Sequence, residues 1–248
     1  MNLEAMLKNG WWANSPFFDR NMMVVPAHPS NYYSGLYGKE LRVCQPIAYV
    51  WHEPQEPADG YESTPVYFSG PDRDASTTYY GDNDGDTYQC VPLNRAPIAN
   101  GLKGMPVPRF NDGGPEFGAY SLNQQTHSDE EEGYTHNIHI TMTNAQHGAC
   151  VDRAALFLIM YDLPRNPKRV GLAHGHIATD RSDGIWIAEK SGIPQEATDK
   201  VLKMEKDIQE LKQLAWDNAQ RDNGQDKNIW SQALRLNDLE KHTAHPPK

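Results

Sequence analysis

The sequence predicts an α+β protein with a mixed β-sheet body, loop-rich connections and a C-terminal helical segment. Most apolar segments of residues 21–194 are short and bounded by turn residues, which is typical of strands. The chain carries 18 Pro and 19 Gly, so turns are frequent. After Pro194, apolar residues recur at helical spacing. We therefore divide the chain into residues 1–20, 21–194 and 195–248.

Residues 1–20 predict a short helix followed by an aromatic segment. Leu3, Met6 and Leu7 share one helical face, and Gly10 ends the helix. Aromatic side chains then follow closely from Trp11 onward. An exposed aromatic cluster favours association, so we expect this segment to dock on the body or on another subunit.

Residues 21–194 predict a β-rich body centred on three successive strands. The apolar run Ala154–Tyr161 is typical of a strand buried on both faces. Gly171–Thr179 and Gly184–Ala188 predict the next two strands. Further candidate strands are Met22–Val25, Leu41–Trp51, Pro65–Phe68, Thr87–Val91 and Ile138–Thr143.

Residues 195–248 predict helices and a tail. Five apolar residues recur at spacings of three and four in the first helix, namely Val201, Met204, Ile208, Leu211 and Ala215. This stripe fits packing on the chain's own sheet, or contact with a second copy in a homo-oligomer. We predict self-association, with the chain itself as the partner.

Composition excludes several classes of protein. No segment approaches the ~20 apolar residues of a membrane helix, and the N-terminus lacks the pattern of a secretion signal, so we expect an intracellular protein without a membrane partner. The net charge of −10 argues against a general nucleic-acid binder. The three Cys are too few and too dispersed for a zinc site.

The pair His174 and His176 is the sharpest chemical feature of the sequence. Residues two apart on a strand point to the same face, so both imidazoles would converge, and Asp180 follows four residues later. One interpretation is an iron, manganese or zinc site, to which His136, His139 or His147 would add a ligand. The other is ordinary histidines hydrogen-bonded at a sheet surface.

The central stretch resembles deoxyribonuclease II, a member of the phospholipase D superfamily. The resemblance spans about residues 40–194 and is specific over residues 154–194. It is carried by a series of features in order: Tyr161-Asp162-x-Pro164, Gly171, Gly175, Asp180, Asp183-Gly184-Ile185-Trp186-Ile187, Ser191 and Pro194.

The resemblance implies metal-independent phosphodiester hydrolysis, with a histidine as nucleophile. His174 would be the nucleophile or base, His176 the phosphate-binding cation at low pH, and Asp180 an orienting carboxylate. The scaffold would be either a nuclease active at acid pH, with DNA as partner, or a degenerate non-catalytic relative. Neither requires a cofactor, and we predict none. The alternative is a self-assembling structural protein of the viral occlusion-body (polyhedrin) type, which the size, acidity and 12 Tyr resemble in profile.

Overall fold

The computed structural model describes residues 10–11, 22–33, 44–53, 63–100, 115, 117, 121–133, 142–177, 183–221 and 234–236. These ranges form a mixed β-sheet with helices, so the predicted α+β class is confirmed. The strands are β1 (Met22–Val24), β2 (Tyr32–Tyr33), β3 (Ala48–His52), β4 (Tyr79–Gly81), β5 (Thr87–Gln89), β6 (Ala96–Pro97), β7 (Thr126–Glu131) and β8 (Leu172–Ala173). The helices are α1 (Ser63–Ser69), α2 (Leu122–Gln125), α3 (Asn144–Met160), α4 (His174–Ile177), α5 (Ile185–Glu189) and α6 (Ile193–Arg221).

The main sheet has six strands in the order β1-β5-β4-β7-β3-β8. Only the β4–β5 pair within it is antiparallel, and the other four pairs are parallel. The interior strands β3 and β7 pair along five residues, from Ala48 opposite Thr126 to His52 opposite Glu130. The short strands β2 and β6 form a separate antiparallel pair.

One face of the main sheet packs against helices α3 and α6. Alternate residues of β3, Tyr49 and Trp51, point into this layer and join the apolar residues of both helices in the largest core cluster. The helix α3 begins at a Thr143 cap, whose hydroxyl accepts a hydrogen bond from the Gln146 backbone N–H. Its residues from Ala154 to Leu158 are all buried.

The opposite face of β3 points into a smaller cluster. Ala48 and Val50 lie there with Leu122, Leu172 and Ile177. His52 follows Val50 on the same face, because side chains two apart on a strand share a face. The His52 side chain therefore points away from α3 and toward the end of the smaller cluster.

A buried charged group joins α3 to β7. The Arg153 guanidinium donates hydrogen bonds to Asp129 at 2.7 Å, to Thr87 at 2.6 Å and to Glu131. The Tyr49 hydroxyl donates to the same Asp129 carboxylate at 2.6 Å. All these charged side chains are buried, so each carboxylate depends on this guanidinium for its compensating charge.

Several predicted strands are helical, and those predictions were wrong. Ala154–Tyr161 lies in α3 and its C-terminal cap, Gly184–Ala188 overlaps α5, and Pro65–Phe68 lies in α1. An apolar run buried on all sides fits a core helix as well as a central strand, so periodicity alone could not separate them. Of Gly171–Thr179, only Leu172 and Ala173 form a strand before the chain turns into α4.

Other predictions agree with the structure or lie outside the described residues. Strands lie within Met22–Val25 and Thr87–Val91, and β3 overlaps the end of Leu41–Trp51. Of Ile138–Thr143, only Met142 and Thr143 are described, and neither is in a strand. The helix α6 confirms the predicted helical segment after Pro194. Of residues 1–20, only Gly10 and Trp11 are described, and the Gly10 carbonyl accepts a hydrogen bond from the Leu93 backbone at 2.9 Å.

The predicted stripe on α6 changes its exposure along the helix. Val201 is buried, Met204 and Ile208 are half-buried, and Leu211 is exposed. The first part therefore packs on the chain's own core, and self-association through the second part stays a prediction. Within the described ranges, no helix combines the length and the apolar character that crossing a membrane requires.

Candidate metal centre

His52 lies at the carboxyl end of β3, an interior strand of the main sheet. The parallel neighbour β8 pairs Ala173 with Trp51, so His174 follows directly at the same edge of the sheet. Ligands commonly bind at the carboxyl ends of parallel strands, where side chains from neighbouring strands meet. The local topology therefore brings together two histidines that are far apart in sequence.

Asp183 reaches the same edge through a tight approach of the backbone to β3. The Gly175 backbone N–H donates a hydrogen bond to the Asp183 carbonyl at 3.1 Å, which ties the start of α4 to this segment. Gly184 has φ +76°, and a Cβ added there would lie 2.0 Å from the Trp51 carbonyl oxygen. A residue without a side chain is thus required beside Asp183.

The three side chains offer one ligand atom each, and these atoms all lie within 4.8 Å of one another. The Asp183 Oδ2 atom is 3.1 Å from His174 Nδ1 and 3.4 Å from His52 Nδ1. The two imidazole rings have centroids 4.4 Å apart. His52 is buried, while His174 and Asp183 are partly exposed. The cluster is therefore reachable from one side.

The electrostatics of the cluster favour the protonation states that bind a metal. Burial opposes the charge of Asp183, but the neighbouring imidazoles of His174 and His52 outweigh it and hold the pKa of that carboxyl well below its usual range. Burial lowers the pKa of His52. At neutral pH the centre thus has an ionised Asp183 and a neutral His52, and metal ligands must be deprotonated in this way.

Two further carboxyl groups lie beside the cluster. Glu130, opposite His52 in the β3–β7 register, has Oε1 3.8 Å from His52 Nδ1, and its side chain is 16% exposed. Glu53 follows His52 and is buried. Burial, and then repulsion from Asp183, raises the pKa of Glu53 to about 8, so this residue is mostly an uncharged acid at neutral pH.

A buried amide contacts the opposite side of the His52 ring. Asn100 Oδ1 lies 2.6 Å from His52 Nε2, and Asn100 Nδ2 donates to Thr126 Oγ1 at 2.7 Å. Asn100 and Thr126 are both buried. The His52 ring is therefore held at both nitrogens, by Asn100 on one side and by the cluster on the other.

The donor set fits a catalytic zinc site. Zinc in enzymes is commonly held by three protein ligands drawn from His and carboxylate, with the fourth position left for water or substrate. The cluster supplies two imidazole nitrogens and one carboxylate oxygen, with a histidine whose other nitrogen is hydrogen-bonded to a buried partner, as metal-binding histidines usually are.

The structure places only some of the site residues predicted from sequence in the cluster. His174 joins the cluster, but His176 does not, because the chain is helical from His174 onward and the two side chains diverge. His176 Nδ1 accepts a hydrogen bond from the Ala173 backbone, and Nε2 lies 2.9 Å from Glu189. Asp180, His136 and His139 lie outside the described residues, and His147 pairs with Glu196.

Sequence reasoning missed His52 and the role of Asp183. The signal for His52 was present, since a histidine ends the apolar run Ala48–Trp51. Asp183 was considered only as part of the segment Asp183–Ile187, on which the resemblance was based, and not as a ligand. Their convergence depends on placing β3 beside β8, and the sequence alone did not establish that pairing.

Comparison with solved structures shows a fold different from the one expected. The sequence matches no family profile and no curated protein. The crystal structure of an AmpD derivative is 17% identical, covers 77% of this chain and 98% of its own, and has a TM-score of 0.50. A mutant endolysin from Bacillus subtilis is 12% identical over 72% of this chain and 99% of its own, with a TM-score of 0.48. An N-acetylmuramoyl-L-alanine amidase, the endolysin LysCS from Clostridium intestinale, is 13% identical over 64% of this chain and 83% of its own, with a TM-score of 0.39.

These findings overturn the expected resemblance to deoxyribonuclease II. The supposed strands that carried it, Ala154–Tyr161 and Gly184–Ala188, are helical. The predictions of a phospholipase D-type nuclease, of its degenerate relative and of a polyhedrin-like structural protein were therefore wrong. The chain has a fold similar to that of AmpD.

Proposed function

We propose that this chain is a zinc-dependent hydrolase that cleaves an amide bond. The observation that supports the proposal is the convergence of His52, His174 and Asp183, whose ligand atoms lie within 4.8 Å of one another at a partly exposed edge of the sheet. Three ligands of this kind favour a catalytic site over a structural one, in which four protein ligands usually close the coordination sphere.

The chemistry of the group and of its surroundings fits hydrolysis. Zinc held by these ligands would supply Lewis-acid catalysis, polarising the scissile carbonyl and lowering the pKa of a water molecule. Glu130 lies beside His52 at the same edge and would hold and transfer the proton of the attacking water. His52, His174 and Asp183 hold the metal, and Glu130 moves the proton.

The substrate proposed for the first test is the N-acetylmuramoyl-L-alanine bond of peptidoglycan. It is the bond named for one of the similar proteins, an N-acetylmuramoyl-L-alanine amidase, and other similar proteins are endolysins. The case for metal-dependent hydrolysis rests on the centre formed by His52, His174 and Asp183 and not on those proteins.

The test measures zinc binding and peptidoglycan cleavage on the same purified protein. Metal-free protein is titrated with zinc against a chromophoric chelator, and cleavage is followed as clearing of a peptidoglycan suspension and release of free muramoyl and L-alanine ends. We expect one zinc per chain. We expect His174→Ala and Asp183→Ala to lose more than about 100-fold in zinc affinity, beyond the effect of an outer-shell change, and to lose cleavage.

His176→Ala is the matched control, because His176 lies two residues from His174 but contacts Glu189 instead of the cluster. It should bind zinc and cleave as the wild-type protein does. If His174→Ala retained wild-type zinc affinity, the assignment of this cluster as the zinc site would be wrong. If zinc bound at the centre but peptidoglycan stayed intact, the amide substrate would be wrong and the metal centre would stand.

A further inference from the structure

Asn100 contacts the candidate centre without being one of its ligands. It follows β6 and is 1% exposed. Its Oδ1 atom lies 2.6 Å from His52 Nε2, whereas the other ring nitrogen, Nδ1, is the one 3.4 Å from Asp183 Oδ2. The backbone N–H of Asn100 donates to the Asn123 side chain, which fixes the position of the loop that carries it.

The hydrogen bonds around Asn100 determine which way its amide points. The Thr126 hydroxyl donates its single hydrogen to the Leu122 carbonyl at 2.7 Å, so toward Asn100 this oxygen can only accept. The group 2.7 Å from it must therefore be the amide NH₂ of Asn100. The amide oxygen is then the atom that faces His52.

This orientation fixes the tautomer of His52. An amide oxygen cannot donate, so the hydrogen between Asn100 and His52 belongs to Nε2. In a neutral imidazole the other nitrogen, Nδ1, then carries a lone pair. Nδ1 is the atom that lies 3.4 Å from Asp183 Oδ2, so two electron-pair donors face each other there. A cation between them would be favoured.

We propose that Asn100 is a positioning residue that holds His52 in its Nε2–H tautomer and thereby raises the affinity of the centre for zinc. The proposal rests on the metal centre proposed above. It adds a residue that touches neither metal nor substrate and acts through the orientation of one ligand.

The test compares two substitutions at Asn100 with a substitution at another buried asparagine. Asn100→Leu removes the acceptor for His52, whereas Asn100→Asp keeps an oxygen at that place. Asn31→Leu is the matched control, because Asn31 is also buried but donates to the Phe68 and Gly70 carbonyls, at 2.8 and 2.6 Å, and not to a ligand of the centre.

The readouts are the zinc dissociation constant, the urea midpoint of metal-free protein and the tautomer of His52 from long-range ¹H–¹⁵N spectra. Asn100→Leu should weaken zinc binding by about 10- to 100-fold, the usual cost of an outer-shell change. Asn100→Asp should stay within about threefold of the wild-type affinity, because the acceptor that fixes the tautomer is retained. Asn31→Leu should lower the midpoint and leave zinc affinity unchanged.

The tautomer separates this inference from the proposed function. The metal-free wild-type protein should show the hydrogen of His52 on Nε2, and Asn100→Leu should show a mixture. A ring protonated on Nδ1 in the wild-type protein, wild-type zinc affinity in Asn100→Leu, or equal losses in both Asn100 variants would overturn the inference. Failure of the wild-type protein to bind zinc would overturn the proposed metal centre. The spectrum of the metal-free protein would still show whether Asn100 fixes the tautomer of His52.

Discussion

Three consecutive acidic residues of β7 occupy different environments because alternate residues of a strand face opposite sides of the sheet. Asp129 and Glu131 point toward α3 and bind Arg153 in the buried layer. Glu130 points the other way, toward His52, and keeps part of its surface exposed. The same residue type thus serves the core on one face and the candidate centre on the other.

Substitution of Glu130 should separate catalysis from metal binding. Glu130→Gln keeps the size of the side chain but removes its capacity to accept a proton, so we expect turnover to fall by about 10²- to 10⁴-fold, the usual contribution of a general base. Zinc affinity should stay close to that of the wild-type protein. The measurement is steady-state cleavage of peptidoglycan at saturating zinc.

The control for this prediction is Glu189→Gln, which changes a carboxylate that pairs with His176 on the surface. It should leave turnover unchanged. Wild-type turnover in Glu130→Gln would show that another group accepts the proton.

At the scale of elements, the contact between α3 and β7 depends on one guanidinium. Arg153→Met would leave Asp129 and Glu131 buried without a compensating charge, so we expect the free energy of unfolding to fall by about 3–5 kcal/mol. Urea denaturation of metal-free protein measures this loss. Lys206→Met is the comparison, since Lys206 forms an exposed pair with Glu210, and it should cost less than about 1 kcal/mol. Similar losses in both variants would contradict this explanation.

The junction between β3 and α5 depends on one glycine. Gly184→Ala would place a Cβ 2.0 Å from the Trp51 carbonyl oxygen at a positive φ. We expect it to lower the free energy of unfolding by more than about 2 kcal/mol, and to weaken zinc binding because Asp183 is its neighbour. Denaturation and zinc titration measure the two effects.

Gly148 provides the contrasting glycine. It lies within α3, and a Cβ added there meets no atom within 4 Å. Gly148→Ala should therefore stabilise the protein by about 0.5–1 kcal/mol, because alanine loses less conformational freedom in a helix. A destabilised Gly148→Ala, or a Gly184→Ala variant as stable as the wild-type protein, would show that the surroundings of these glycines differ from those described.

The elements also show which parts of the fold could be predicted from the sequence. The helix α6 was predictable because its polar face makes the apolar spacing visible. The helix α3 was not predictable in this way. Its apolar run from Ala154 is buried on all sides, so no polar face reveals the helical period of the sequence. The pattern Thr143-x-x-Gln146 before that run is a helix-capping signal, and it would have favoured a helix.

The candidate site was predicted only in part, for a reason of topology. His174 was identified from its own chemistry, but its neighbour His176 was grouped with it on the assumption of a strand. His52 and Asp183 belong to the cluster through the β3–β8 pairing and the Gly184 approach. Such long-range pairing leaves no local pattern in one sequence.

At the scale of the whole molecule, the candidate centre joins segments from distant parts of the chain. A metal that binds only the folded state stabilises it by mass action, and at a free concentration about 100 times the dissociation constant the gain is about 2.7 kcal/mol. We therefore expect zinc to raise the melting temperature by roughly 5–11 °C for a domain of this size. His174→Ala should show no such rise, and thermal melts with and without zinc measure the difference. An equal rise in that variant would mean that zinc binds elsewhere.

The parallel pairing of the main sheet also bears on how fast the protein folds. Each parallel neighbour must be brought back over a long intervening chain, and the hydrogen bond from Trp51 to the Val170 carbonyl already spans 119 residues. The chain loses the entropy of closing such loops before the stabilising contacts form. Domains rich in distant contacts therefore fold in milliseconds to seconds. The helices α3 and α6 can form early from local contacts, whereas the edge that carries His52, His174 and Asp183 is complete only when β3 and β8 are side by side. Recovery of the centre should therefore be among the last events of refolding.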